Sequence, residues 1–387
     1  METESPGRRS TILALYGMNF LTSSTFGASG VVLPLYMRDV GVSLAGLGLA
    51  FGVFGIVAGI AGMFFGAHSD SFGRKPYLVL SLVLRAIVWL MYTQATSLVH
   101  FVVLNGLNGV STSLSGVIVP AMITDLTKES ERGRRFGGIG GLGWLGTGLG
   151  YFLGGAVSQV FGYQVSFTLL FVLAFASCLL ILIFVPSYRM PSRERFNLSL
   201  VKGFSSNLKT LFVISIVTAL VIGPVEAMVI PLYAVTPGPL GIDKVVFGTF
   251  MSVSYILSSS AQFVGGNLAD KHNRRKLAGF SRLLSVPFIL VQPFFPSFMF
   301  FASMYVLEGF GEGLGGPCIN AILASSARPK HRGFEFSVYN LLGNVGSTIG
   351  FIGMGFFLES MGFILPFVIR AVVYALVALL FYLKLKD

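Results

Sequence analysis

Gly66-Ala67-His68-Ser69-Asp70-Ser71-Phe72-Gly73-Arg74-Lys75 stands between two long apolar stretches, and 200 residues later Gly266-Asn267-Leu268-Ala269-Asp270-Lys271-His272-Asn273-Arg274-Arg275 stands in the same setting. Glycine, aspartate and the basic pair return at identical spacing, with Asn273 where Gly73 stands, so the second copy is degenerate. A solvated turn would account for the basic residues but not for Gly66 and Asp70 recurring at that spacing. The same offset extends outward from the pair. Arg132-Gly133, Gly146, Gly150, Gly155, Gly162 and Phe167 fall on Arg332-Gly333, Gly346, Gly350, Gly355, Gly362 and Phe367. Pro34-Leu35-Tyr36 returns as Pro231-Leu232-Tyr233, three residues out of register. Self-similarity on this scale marks a duplicated architecture.

Composition says what is duplicated. Of the 387 residues 54% are hydrophobic and only 11% charged, with a mean hydropathy of +0.79, which excludes a water-soluble domain of this size and implies embedding in a lipid bilayer. A hydrocarbon core of about 30 Å needs roughly 20 apolar residues per helix. Apolar stretches between turn signals predict twelve spans: 11–37, 43–67, 76–95, 98–124, 134–160, 164–185, 210–234, 245–268, 277–294, 298–326, 334–360 and 363–384. The short polar N-terminus has no cleavage signal, so the first apolar segment reads as a retained span. The net charge of +11 could suggest nucleic-acid binding, but with both termini cytoplasmic 22 of the 27 basic residues fall in inner segments. That is the positive-inside bias, and no nucleic-acid partner is implied.

Six spans per half is an even number, so the copies share one topology and are related by an axis along the membrane normal. The reading is an all-α membrane protein of two pseudo-symmetric six-helix bundles, 1–188 and 210–387, joined by a cytoplasmic linker, 189–209. Cys178 and Cys318 lie in apolar segments without paired spacing, and the four histidines lie in loops, so neither a metal site, a cofactor site nor a catalytic constellation is expected. No phosphate-binding loop of the G-x-x-x-x-G-K-[ST] kind is visible either.

The repeated loop resembles the G-x-x-x-D-x-x-G-R-[KR] signature of the major facilitator superfamily, and the resemblance covers the whole chain. It implies a secondary transporter working by alternating access, not an enzyme, a multi-pass protein of the plasma membrane and a monomer. Its partners would be a small-molecule solute, protons and the bilayer. It also implies a cytoplasmic latch made by Gly66, Asp70, Gly73, Arg74, Gly266, Asp270 and Arg274, with Asp125 and Arg132 joining from the loop after the fourth span. Gly137, Gly146, Gly150, Gly154 and Gly155 match the spacing of the family's antiporter signature, although Tyr151 stands where that pattern has proline. These glycines are also expected as helix-packing positions. The fourth span departs from the arginine pattern of drug antiporters: Asn105-Gly106-Leu107-Asn108-Gly109 carries no cation.

Family architecture sets the first, fourth, seventh and tenth spans around the cavity. The N-terminal half offers neutral groups there, Asn19, Asn105 and Asn108 among them, and the C-terminal half offers Glu226, Glu308 and Glu312. Intramembrane carboxylates are costly, which makes them functional candidates. Glu308 and Glu312 share one helix face, with Glu308 near the midplane. Two such acids cannot both stay charged without a partner, so one takes up a proton, the pair holds a cation, or an intramembrane arginine, Arg370 or Arg85, neutralises one. Arg282 is expected to snorkel to the cytoplasmic surface. The first expectation is proton-coupled efflux of an amphiphilic or cationic compound. The alternative is proton-coupled uptake of a small metabolite, a sugar or organic acid.

Overall fold

The computed structural model describes residues 6–127, 132–186, 203–235, 237–295, 297–328 and 332–385. Among these the chain is helical throughout, with only an isolated bridge from Val235 to Ile242. Lipid leaves backbone groups no other partner, which makes helices the economical solution. The first six helices are α1 (Pro6–Asp39), α2 (Leu44–Phe72), α3 (Arg74–Tyr92), α4 (Leu98–Leu126), α5 (Arg132–Val160) and α6 (Gly162–Phe184). The second six are α7 (Ser206–Ala219, continued in short pieces to Ala234), α8 (Lys244–Lys271), α9 (Arg274–Val291), α10 (Phe298–Ser326), α11 (Arg332–Met361) and α12 (Ile364–Leu383). Nine of these spans are long and apolar enough to cross a membrane by length and composition alone. The three that fall short, α5, α8 and α10, are diluted by glycine, serine or glutamate. Of the expected linker, only 203–209 lies among the described residues; there Ser205 caps α7, its Oγ accepting from Leu208 N at 3.2 Å.

Two compact units result. In the first, α1 packs mainly on α5, and α3 on α4 and α6; in the second, α7 packs on α11, and α9 on α10 and α12. The internal repeat is therefore a repeat of packing. Tyr36 donates to Ala95 O at 2.7 Å and meets the rings of Phe101 and Phe167 at 5.8 and 5.2 Å. Tyr233 donates to Pro293 O at 3.3 Å and meets Phe301 and Phe367, both at 5.5 Å. The Pro-Leu-Tyr motif thus anchors the same aromatic cluster twice.

Glycines set how closely the helices approach. A Cβ at Gly146 would run into Phe20 O, at Gly150 into Ser24 O and at Gly154 into Ala28 O, all on α1. In the second unit a Cβ at Gly346 would strike Ile216 O, and at Gly350 Leu220 O, on α7. The obstacle is backbone in every case, so it cannot swing aside. Gly150→Val is expected to overpack this contact at a cost of about 1–3 kcal/mol or more. The check is the fraction of monodisperse protein surviving a heat step in detergent.

The loop signature closes its two turns by different means. Gly73 has φ +98°, a conformation glycine adopts without penalty. Asn273 has φ −61°, and its side chain instead accepts from Lys276 N at 3.0 Å as an N-cap of α9. The degenerate position of the repeat is a substitution of capping chemistry for backbone freedom.

Candidate functional site

α10 carries Glu308 about 15 Å from its start, at 1.5 Å per residue. The side chain is only 2% exposed, and both its oxygens are engaged: Oε1 lies 2.5 Å from Arg370 Nη2, and Oε2 accepts from Gln292 Nε2 at 2.7 Å. Ser285 Oγ donates to its backbone carbonyl at 3.2 Å. Arg370 on α12 is itself buried, its side chain 1% exposed. Of the outcomes open to Glu308 in the sequence, this is pairing with an arginine in a sealed position.

Glu226 comes to the same arginine from a break in α7. Helix Ser206–Ala219 ends before a short turn, Ile222–Pro224, a single π turn, Val225–Val229, and a last helical piece, Ile230–Ala234. Pro224 and Pro231 each lack the N–H that a continuous helix needs, and the ladder widens between them. Glu226 lies in that π turn, its Oε1 3.3 Å from the Arg370 Nη2 that Glu308 already holds more closely. Its side chain is 29% exposed. Glu312 pairs with Arg282 and is 27% exposed.

Arg282 therefore does not snorkel. It sits more than two turns into α9, is 7% exposed and turns across to α10 instead. The Tyr374 ring faces both cations, with the Arg282 and Arg370 guanidinium carbons 4.8 and 5.4 Å from its centroid. Three carboxylates thus meet two guanidiniums in one connected cluster. With every group ionised it carries one negative charge in excess. A cavity of about 340 Å³ opens beside Arg282, lined also by Ser215, Thr218, Gly223, Tyr339 and Ser347.

The neutral candidates of the first unit differ from one another. Asn19 Nδ2 donates to Ile139 O at 2.8 Å, tying α1 to α5. Asn105 is buried and donates to Phe101 O of its own helix at 3.0 Å. Asn108 is half-buried, with no side-chain hydrogen bond among the described residues. Arg85 donates to the hydroxyls of Ser111, Thr112 and Ser115.

At the helix ends, Arg74 Nε and Asp125 Oδ2 are 2.7 Å apart, both nearly buried, which joins α3 to α4. Arg274 donates to Ala269 O at 3.1 Å. A Cβ at Gly266 would meet nothing within 4 Å, so no close helix approach accounts for that glycine. The surroundings of Gly66 and the side chains of Asp70, Arg132 and Asp270 lie outside what the structure describes. A further pair joins the half-buried Arg328 to the buried Glu335, whose Oε2 also accepts from Arg328 N at 2.8 Å. Of the α5 glycines, Gly155 packs against Gly248 Cα, to which its own Cβ would come within 3.1 Å. Gly137 faces open space and does not take the packing role expected of it, whereas a Cβ at its neighbour Gly138 would lie 2.9 Å from the Tyr16 hydroxyl. Tyr151, in the proline position, is buried against Gly30, where a Cβ would lie 2.9 Å from its hydroxyl.

The family model of the Major Facilitator Superfamily matches residues 15–238 and 215–387. The multidrug resistance protein MdtG of Proteus mirabilis is 26% identical over 378 residues, covering 94% of this chain and 91% of that protein. An uncharacterised MFS-type transporter of Methanocaldococcus jannaschii is 20% identical over 389 residues, covering 97% and 98%. Among solved structures, that of the nucleoside transporter NupG superimposes with a TM-score of 0.78 at 16% identity, covering 97% of this chain and all of that one.

Proposed function

The chain belongs to the major facilitator superfamily and is a membrane transporter, and we propose that it couples the efflux of a small amphiphilic or cationic compound to protons by alternating access. The observation that carries the reading is the cluster of Glu226, Glu308, Glu312, Arg282 and Arg370, which is one carboxylate in excess. An unpaired charge at this depth is costly, so the excess is met by a proton or by a cationic solute, and each displaces the other. Glu226 is the group that exchanges. Arg370 holds it at 3.3 Å against 2.5 Å for Glu308, and it is the more exposed of the two. Glu308 and Arg370 remain paired and fix the geometry. The likeness to MdtG, a multidrug resistance protein by name, supports efflux. Uptake of a small metabolite with the proton would use the same cluster, and the sign of the pH change separates the two. Movement of a candidate panel by proteoliposomes, with and without an imposed pH gradient, tests the reading; transport indifferent to the gradient would contradict it.

Gating follows from the loops. Both termini are cytoplasmic, the protein is a plasma-membrane monomer, and the Asp70 and Asp270 loops with Arg74, Arg274, Asp125 and Arg132 hold the cytoplasmic mouth. Asp125→Asn removes the charge facing Arg74 and is expected to shift the balance toward the inward-open state. Cysteines placed on the cytoplasmic side should then label faster; an unchanged labelling rate counts against the latch.

A further inference from the structure

The pseudo-symmetry leaves one cation without its counterpart. With the offset of 200 residues, Glu308 and Glu312 on α10 correspond to Asn108 and Thr112 on α4. On α9 the cation is Arg282, which pairs with Glu312. On α3 it is Arg85, one turn away from the equivalent register, and it meets Thr112. In the first unit the guanidinium stands opposite neutral groups at both carboxylate positions.

Arg85 is 7% exposed and forms no ion pair among the described residues. Its partners are hydroxyls only: Nε donates to Ser111 Oγ at 3.1 Å, and Nη2 to Thr112 Oγ1 at 3.0 Å and Ser115 Oγ at 3.4 Å. These hold the guanidinium in place without neutralising it. Ser111 is locked in turn, exchanging hydroxyl-to-carbonyl bonds of 2.9 Å with Ser81 in both directions. Burial of an unpaired cation in a membrane protein is expensive and marks a site that meets an anion.

The groups around it are donors. Nη1 has no partner among the described residues and is not sealed from solvent. The Thr112 hydroxyl accepts from Arg85 and donates to nothing among the described residues. The Asn108 amide, one turn along the same face, is likewise uncommitted. Gly116 continues that face, and a Cβ there would meet nothing within 4 Å. A planar guanidinium flanked by a hydroxyl and an amide suits a carboxylate, which accepts several such bonds at once.

We propose that Arg85, with Thr112 and Asn108, binds the carboxylate of an anionic or zwitterionic solute, which takes the place that Glu312 holds beside Arg282. The inference rests on the carrier reading and narrows its substrate class to amphiphiles that carry a carboxylate.

Benzoate and benzamide, alike in shape and different in charge, are the probes, read by thermal stability of the purified full-length chain in detergent. Benzoate should raise the midpoint in a concentration-dependent way and benzamide should not. Arg85→Lys should weaken the benzoate effect on the order of tenfold, since a point charge loses the fork geometry. Thr112→Glu gives Arg85 a resident carboxylate. That variant should fold, resist heat at least as well as the parent and no longer respond to benzoate. Equal shifts by the two probes in the parent chain, or a benzoate response surviving in Thr112→Glu, overturn the assignment. Counterflow of carboxylate-bearing amphiphiles from the candidate panel by the parent in proteoliposomes is scored separately: its absence strikes the carrier reading and leaves the Arg85 result standing.

Discussion

Arg370→Met is expected to lower stability by about 3–5 kcal/mol at neutral pH, the usual consequence of stranding a buried charge. Glu308 depends on it most, because its side chain is 2% exposed and only Gln292 would remain as a side-chain partner. Glu226 would also lose its partner, but its partial exposure lets it recover solvation. The loss should shrink as pH falls, since a protonated Glu308 has no charge to strand. The double variant Arg370→Met with Glu308→Gln removes both charges and should regain most of the stability, because exchanging a whole buried pair for neutral groups is often nearly neutral. Heat-step survival of the parent, the single and the double variant, each measured across a pH series, checks the pattern. Equal losses in the single and double variants would show that Arg370 acts through packing.

Glu226→Gln is expected to leave folding intact and abolish accumulation driven by a pH gradient. Glutamine keeps the shape and can still accept from Arg370, so the π turn has no reason to change. It removes the carboxylate that is both loosely held and partly exposed. Efflux down the solute's own gradient should persist in that variant, which separates loss of coupling from loss of the carrier. A Glu226→Gln protein that still concentrates solute against its gradient would move the exchange to Glu312.

Much of this architecture was legible in the sequence because lipid enforces it. Span length, basic loops and the offset of 200 residues are each direct consequences of crossing a bilayer twelve times in two copies. The α5 glycines were legible for the same reason, since a stripe of small residues in an apolar helix implies close approach, and Gly146, Gly150 and Gly154 make it. What the sequence does not display is pairing. Arg370 joins Glu308 from 62 positions away and Glu226 from 144, and nothing local selects it over Arg85 or Arg282. Gln292 and Tyr374, which complete the cluster, have no motif around them. The break in α7 did leave a signal, Gly223-Pro224 and Pro231 within the expected span 210–234. The uninterrupted hydropathy of that span conceals it. Arg282 departs from a general tendency: arginines near a helix end reach for the interface unless an acid faces them inside, and Glu312 does.

The most direct measurement is solute-driven proton movement in proteoliposomes loaded with a pH-sensitive dye. With a solute of the candidate panel that the parent moves placed inside and no initial pH difference, its outward flow through the parent protein should acidify the lumen, and Glu226→Gln should let the solute leave with no pH change. Solute flow without acidification in the parent, or equal acidification in both proteins, would contradict a carboxylate that trades its proton for the cargo.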